Sequence, residues 1–427
     1  MGIIKPIDLN PKRKEGDFMS KLYVGIDVSS RNNVVYLMKP DGSKHSNFSV
    51  ENSPKGSAEL VKQIVKALTS YHLTEVTVGL EATGCYGDHL VYFLKENAEL
   101  AKFNRSIHVL NPKQVKKFKD TYNDLQKNDY IDSFVIADCL RFGRINKEVY
   151  MDDARFKALQ ILTRQRFFTV QSLTAEKQRF LNVIFKKYSS LAQNKVFSNT
   201  FGASALALYE EFDSADTLAY MDLHELTDFL VKKSKNRFSD PEAVAKAIQK
   251  AARSSYRLPK TVNDSVNQVL SSSICLIRAL EQQIKVLDKA IAEQLELIPN
   301  TLQSIPGIGP VYSAGIIAEI GDIHRFKNQS ALGKYAGLAW TQNQSGDFES
   351  KNTKLIRSGN KFLKYYLCEA AFSLVRCDTE YSRFYHLKYN EVNKGQHKRA
   401  LALTARKFVR LVYALLIDNK LYTPSEL

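Results

Sequence analysis

Four carboxylates carry the strongest chemical signal in this chain. Asp27 closes the apolar, alternating run 22–28 (LYVGIDV) and Glu81 follows directly on the run EVTVGL. Asp129 and Asp132 stand three apart at the start of a predicted helix, so they share one of its faces. An acid that ends an apolar strand is not a surface pattern. Carboxylates that converge repel one another unless cations neutralise them. Hard oxygen donors with room for water and phosphate favour Mg²⁺. Two such ions about 4 Å apart can activate an attacking oxygen and stabilise a leaving one during phosphoryl transfer. The acids therefore point to chemistry on phosphodiesters. Asp138 lies six residues beyond Asp132, on a different face, and is not counted with them.

Bringing these four residues together makes a demand on topology. The pattern predicts strands over 22–28, 33–38, 44–50, 75–80 and 106–110, and helices over 54–71, 86–97 and 129–141. Three strands in a meander followed by crossover units make a mixed sheet with helices on its faces. Such a sheet sets the ends of its first and fourth strands side by side, with the last helix crossing nearby.

The rest of the chain reads as helical. A basic helix runs from near Leu159 towards Tyr188, and 189–262 is less regular. Ser239-Asp240-Pro241-Glu242 has the form of a capping box opening a helix through Ala252. Ile277, Leu280, Ile284, Leu287 and Ile291 step by three and four, which is coiled-coil spacing, or a helix packed inside its own domain. Between apolar stretches, Ile305-Pro306-Gly307-Ile308-Gly309-Pro310 forms a helix-hairpin-helix-like element, in which Gly307 and Gly309 allow backbone N–H groups to meet a phosphate. The expected parts are a flexible tail (1–20), an α/β catalytic domain (21–150), a helical, coiled-coil dimerisation region (151–297) and an all-α C-terminal domain (298–427).

The 427 residues include 61 Lys and Arg against 45 Asp and Glu, a net charge of +16, which makes a polyanion the first partner to consider. Residues 155–188 hold eight cations against one acid, Arg164 and Arg166 among them, and 383–410 hold eight against one. Residues 351–364 hold Lys351, Lys354, Arg357, Lys361 and Lys364 with no acid at all. Such charges suit phosphate contacts, which are sequence-blind and salt-sensitive. No helix-turn-helix, zinc finger or RRM motif is present to read bases. The apolar and aromatic content argues against disorder, and no stretch reads as a membrane span or signal peptide. The five Cys are scattered without a CxxC, so a reducing cytoplasm is the expected compartment.

Read together, the motifs resemble a known family. Gly25-Ile26-Asp27-Val28, Leu80-Glu81-Ala82-Thr83-Gly84 and Lys127-Asn128-Asp129-Tyr130-Ile131-Asp132 are followed by Leu162-Thr163-Arg164-Gln165-Arg166 and the Gly307 hairpin. Tyr335-Ala336-Gly337-Leu338, Gln344-Ser345-Gly346 and Gly359-Asn360-Lys361-Phe362-Leu363 complete the series. The set resembles DEDD-type transposases of insertion-sequence family 110 and the related Piv-like DNA invertases, over about 21–420. The resemblance implies an RNase H-like (RuvC-like) domain, with Asp27, Glu81, Asp129 and Asp132 as metal-site acids. It implies that Ser345 is a nucleophile joining DNA through a phosphoserine link. It further implies target and donor double-stranded DNA, a structured bridge RNA as guide, and dimers that pair into tetramers on DNA. Composite sites would then combine the acidic and serine domains of different protomers in a bacterial or archaeal cell, at the nucleoid when DNA is bound. The family often has Thr at Asn128, Ala at Ser133 and Pro near Trp340. Two rivals use the same residues: a Piv-like site-specific invertase, and a RuvC-like structure-selective endonuclease that employs metal-activated water.

Overall fold

The computed structural model describes residues 20–82, 84–122, 128–143, 154–194, 196–341, 344–345, 348–349 and 354–424. The expected tail falls almost wholly outside these. The chain divides into two compact units, 1–150 and 151–427.

The first unit is built on one sheet. Strands β1 (Lys21–Val28), β2 (Asn32–Met38) and β3 (Lys44–Glu51) form the meander, and α1 (Pro54–Ser70) leads to β4 (Glu75–Glu81). Then come α2 (Asp88–Glu96), β5 (Asn104–Leu110), α3 (Pro112–Lys119) and α4 (Asp129–Arg141). The strand order is β3-β2-β1-β4-β5. β1 pairs antiparallel with β2 and parallel with β4, in a register that sets Ile26 opposite Leu80. β1 and β4 are buried on both faces through their middles, as central strands covered by helices must be. This mixed sheet, followed by a helical unit, fits the RNase H-like layout.

In the first unit one helix was not expected. α3 starts where Asn111 accepts a hydrogen bond from the Lys113 N–H and Pro112 takes the first helical position, an ordinary start signal.

In the second unit, α5 (Ala154–Lys187) and α11 (Lys260–Glu296) run antiparallel along each other, with Arg155 Nη1 donating to the Leu297 carbonyl at one end and Ser273 Oγ meeting Glu176 towards the other. Between them in sequence lie α6 (Ser189–Asn194), α7 (Ala203–Glu211), α8 (Ala215–Tyr220), α9 (Leu223–Ser234) and α10 (Pro241–Arg253). The stretch expected to be less regular thus holds α6 to α9 before α10. The cap of α10 is Asp240, which accepts from the Ala243 N–H, rather than the Ser239 expected from the capping box.

The second unit ends with α12 (Pro310–Ile320), α13 (Gln329–Tyr335), the short pair β6 (Gln344–Ser345) and β7 (Phe348–Glu349), α14 (Lys361–Cys377), α15 (Thr379–Asn390) and α16 (Gln396–Asp418). Two apolar cores result. One gathers α7–α10 around Phe180, Ile184 and Ile277, and the other gathers α12, α14 and α16 around Leu159, Ile291 and Leu295. The two long helices therefore belong to both cores. Ile277 and Ile291, the ends of the heptad run, are buried within this one chain.

Candidate active site

The acidic centre is positioned by neighbouring strands and a helix laid across them. The register that pairs Ile26 with Leu80 makes Asp27 and Glu81 the next residues on adjacent parallel strands. Asn128 caps α4 by accepting from the Tyr130 N–H, which fixes the first turn that carries Asp129 and Asp132. α4 can reach β1 because residue 25 is glycine: a Cβ there would stand 2.0 Å from the Ser133 carbonyl oxygen and 2.5 Å from the Ala137 nitrogen. Gly25→Ala is expected to push α4 off the sheet, lowering stability by roughly 1–3 kcal/mol as overpacking does. It should also weaken Mn²⁺ binding, which denaturant unfolding and metal titration check together.

Carboxylate oxygens of Asp27, Asp129 and Asp132 all lie within 4.8 Å of one another. Asp27 and Asp132 are half-buried and Asp129 is exposed, so the cluster opens to solvent. Glu81 is not part of this tight trio, yet it feels the same field. Burial, then the charges of Asp27 and Asp132, holds its carboxyl above the usual range. Burial, then Asp132 and Asp129, does the same to Asp27. Like charges held together in a partly desolvated oxygen-lined site are a fit for a hard divalent cation.

A cation of the chain itself already sits there. Lys119, the last residue of α3, donates from Nζ to Asp132 Oδ1 at 2.5 Å and draws down the carboxyls of both Asp27 and Glu81. The sequence reading missed it because α3 was missed; the Asn111-Pro112 start signal would have found the helix. The raised carboxyls hold protons in the folded chain that the unfolded chain has lost. Stability of the metal-free protein therefore falls as pH rises from the ordinary carboxylate range through their raised values. A divalent cation bound there would expel those protons, so its affinity is expected to climb with pH over the same window. Lys119→Met removes the competing ammonium and is expected to tighten Mn²⁺ binding about tenfold, by calorimetric titration near neutral pH.

Asp138 belongs to a separate network. It is buried, accepts from Arg141 Nε at 2.7 Å, and takes a hydrogen bond from the Tyr122 hydroxyl. It locks the end of α4 and does not face the cluster's chemistry.

In the second unit, Ser345 pairs with Phe348 in the short hairpin of β6 and β7. Extended backbone on either side closes the base of this loop: Thr341 N–H donates to the Lys354 carbonyl at 2.8 Å and Ile356 N–H to the Ala339 carbonyl at 2.9 Å. Lys351 lies outside the described residues, whereas Lys354, Arg357 and Lys361 are exposed.

Arg164 and Arg166, two of the residues expected to meet phosphate, are held in ion pairs. Arg164 grips the buried Glu319 with both ends, Nε to Oε1 at 2.7 Å and Nη2 to Oε2 at 2.9 Å. Arg166 is paired with Asp288. These acids sit on α12 and α11, far along the chain, where a local charge count does not register them. Glu319 also accepts from Asn360 Nδ2 at 2.6 Å, and Asn360 caps α14. The Arg164–Glu319 pair thus fixes the helix that follows the serine loop.

The glycine hairpin is partly structural too. Gly307 has φ of +81° and packs so closely on α14 that a Cβ would stand 2.8 Å from Cys377 Sγ. Gly309 faces open space and caps α12 without a side-chain bond.

Two family models match the chain, and the first runs from the acidic unit through α5. The family model for DEDD transposases of the IS110 type, described as "Transposase", matches residues 24–188. The model "Transposase IS116/IS110/IS902 family" matches residues 300–386. The chain is 25% identical over 418 residues to the uncharacterized 44.8 kDa protein of insertion element IS116 from Streptomyces clavuligerus, covering 95% of this chain and 97% of the relative. It is 23% identical to the mini-circle putative transposase for IS117 from Streptomyces coelicolor, over 79% of this chain and 82% of the relative. The pilin gene-inverting protein of Moraxella bovis is 28% identical over 151 residues, 34% of this chain and 46% of that protein. With the acidic centre inside the first family match and the Ser345 hairpin inside the second, the chain belongs to the IS110 family of transposases.

Proposed function

We propose that this transposase cuts and rejoins DNA strands through a phosphoserine intermediate, using Mg²⁺ held by Asp27, Glu81, Asp129 and Asp132. The observation that carries the reading is the gathering of the Asp27, Asp129 and Asp132 oxygens within 4.8 Å. When bound, a divalent ion supplies electrostatic stabilisation of charge that builds on the phosphate. The side chains do the rest. Asp27 and Asp132 are the half-buried acids of the centre, and Asp129 is its exposed member. Lys119 balances the cluster's charge until a cation arrives.

The Ser345 hydroxyl attacks phosphorus, forming a Ser–O–P bond. The displaced strand end departs as an alcohol and takes up the proton that the serine gave to a carboxylate. Reversal of the same exchange by a different strand's hydroxyl releases the serine and seals the new junction. Lys354, Arg357 and Lys361 neutralise phosphates near the serine loop.

The basic surfaces contact backbone rather than bases, so the choice of site falls to a partner. We assign that role to a noncoding guide RNA that pairs with target and donor DNA, with the protein acting as a homo-oligomer. Denaturant-resistant attachment of cleaved DNA to the protein tests the chemistry. Cleavage that needs Mg²⁺ but leaves no attached DNA would replace this reading with the hydrolytic endonuclease. Sequencing of RNA that copurifies with the protein tests the guide, which should map beside the gene. Products in which a segment is flipped in place would favour the invertase reading instead.

A further inference from the structure

On the second unit, α5 and α14 bring aromatic and cationic side chains to one exposed surface. Phe168 on α5 is 47% exposed. It meets Phe362, the second residue of α14, edge to face at 5.7 Å, and Phe167 joins the same group at 5.2 Å from Phe362. The Lys361 ammonium lies 5.3 Å from the centre of the Phe168 ring and 4.9 Å from that of Phe362. Arg164 stacks on Phe362 from the other helix at 4.6 Å. Arg164 has its acid in Glu319, but among the described residues Lys354, Arg357 and Lys361 have no acidic partner.

Folding explains Phe167 and Phe362, which pack between the helices. It does not explain a phenylalanine left half in water beside an unpaired ammonium. A flat apolar ring beside an ammonium that has no acidic partner among the described residues is complementary to one kind of ligand above others: a base with its π-face exposed and a phosphate next to it. A protein partner would need acids to meet these cations and a larger apolar area than one ring offers. Duplex DNA keeps its bases stacked on one another, so it leaves the ring unused.

We propose that Phe168 is a stacking platform for an unpaired base of single-stranded DNA, with the neighbouring phosphate on Lys361. The proposal rests on the strand-joining reading in one respect: exchange of strands is what exposes unpaired bases to the protein. It places the platform at the N-terminal end of α14, immediately after the segment that closes the Ser345 loop.

The test is equilibrium binding of full-length protein to a single-stranded oligonucleotide carrying 2-aminopurine, whose fluorescence is quenched on stacking, and to a duplex of the same length. Phe168→Ala is expected to weaken single-strand binding roughly 5- to 100-fold and abolish the quench. Its duplex affinity and its melting temperature should stay at the parental values, and Phe168→Trp should restore both affinity and quench. Lys361→Ala should instead reduce the salt slope by about one. Unchanged strand affinity in Phe168→Ala, equal losses on strand and duplex, or a dependence seen with RNA but not DNA overturns the proposal. Because no cleavage is needed, failure of the Ser345 chemistry shows separately, as missing attachment with strand binding intact.

Discussion

Asp27→Asn binds DNA as the parent does and joins strands on the order of a thousandfold more slowly, the loss expected when several kcal/mol of metal-borne stabilisation disappears. The substitution keeps the shape of the side chain and removes its charge. Asp27 is the member of the trio supplied by the sheet, and both helix acids lie within reach of it. An amide there donates one weak neutral oxygen where the cation needs an anionic one. Folding should not suffer: the native carboxyl is held above its usual range by burial and by Asp132 and Asp129, so a neutral group relieves strain between charges. DNA affinity should not suffer either, since on the proposed reading it comes from cations on other elements. Gel-shift titration beside a strand-joining assay separates the two effects. Joining at the parental rate by Asp27→Asn, or by the parent protein in EDTA, removes the metal from the mechanism.

Much of this centre could be read from the chain because its parts are local. Alternation fixes β1 and β4, the crossover between them makes them parallel neighbours, and the acids at their ends follow. The spacing of Asp129 and Asp132 puts them on one face whatever else the helix does. What could not be read was the closeness of approach. Gly25 looks like an ordinary strand glycine until the Ser133 carbonyl is found where its Cβ would be. Lys119 is hidden for a different reason: its effect depends on where α3 ends, and the only local sign of that helix is its Asn111-Pro112 start.

The same limit governs the second unit. A run of arginines advertises phosphate binding only while its acids are out of sight. The Glu319 that holds Arg164 is 155 residues away in sequence, so charge counted in a local window does not include it. The heptad run from Ile277 to Ile291 likewise states that a helix will be packed without stating by which helix. Its ends are buried in two different cores of the same chain.

Ser345→Ala is expected to form no denaturant-resistant attachment to DNA, a fall of at least about a thousandfold, because an alanine side chain has no hydroxyl to bond phosphorus. A serine hydroxyl is weak at its free pKa and must be activated by a base or by charge nearby. No histidine lies close in sequence; His324 belongs to the short turn after α12. On the proposed mechanism the activating group is a carboxylate of the acidic centre, and that reading carries a linked expectation. Asp27→Asn must also lose the attachment, while keeping its serine. Two substitutions on separate units with one shared phenotype would tie the acids and the serine to a single chemical step. If Asp27→Asn stops cleavage while Ser345→Ala cleaves at the parental rate, the acids act alone on water. The hairpin of β6 and β7 then serves only to hold the strand, and the enzyme cuts without ever bonding to what it cuts.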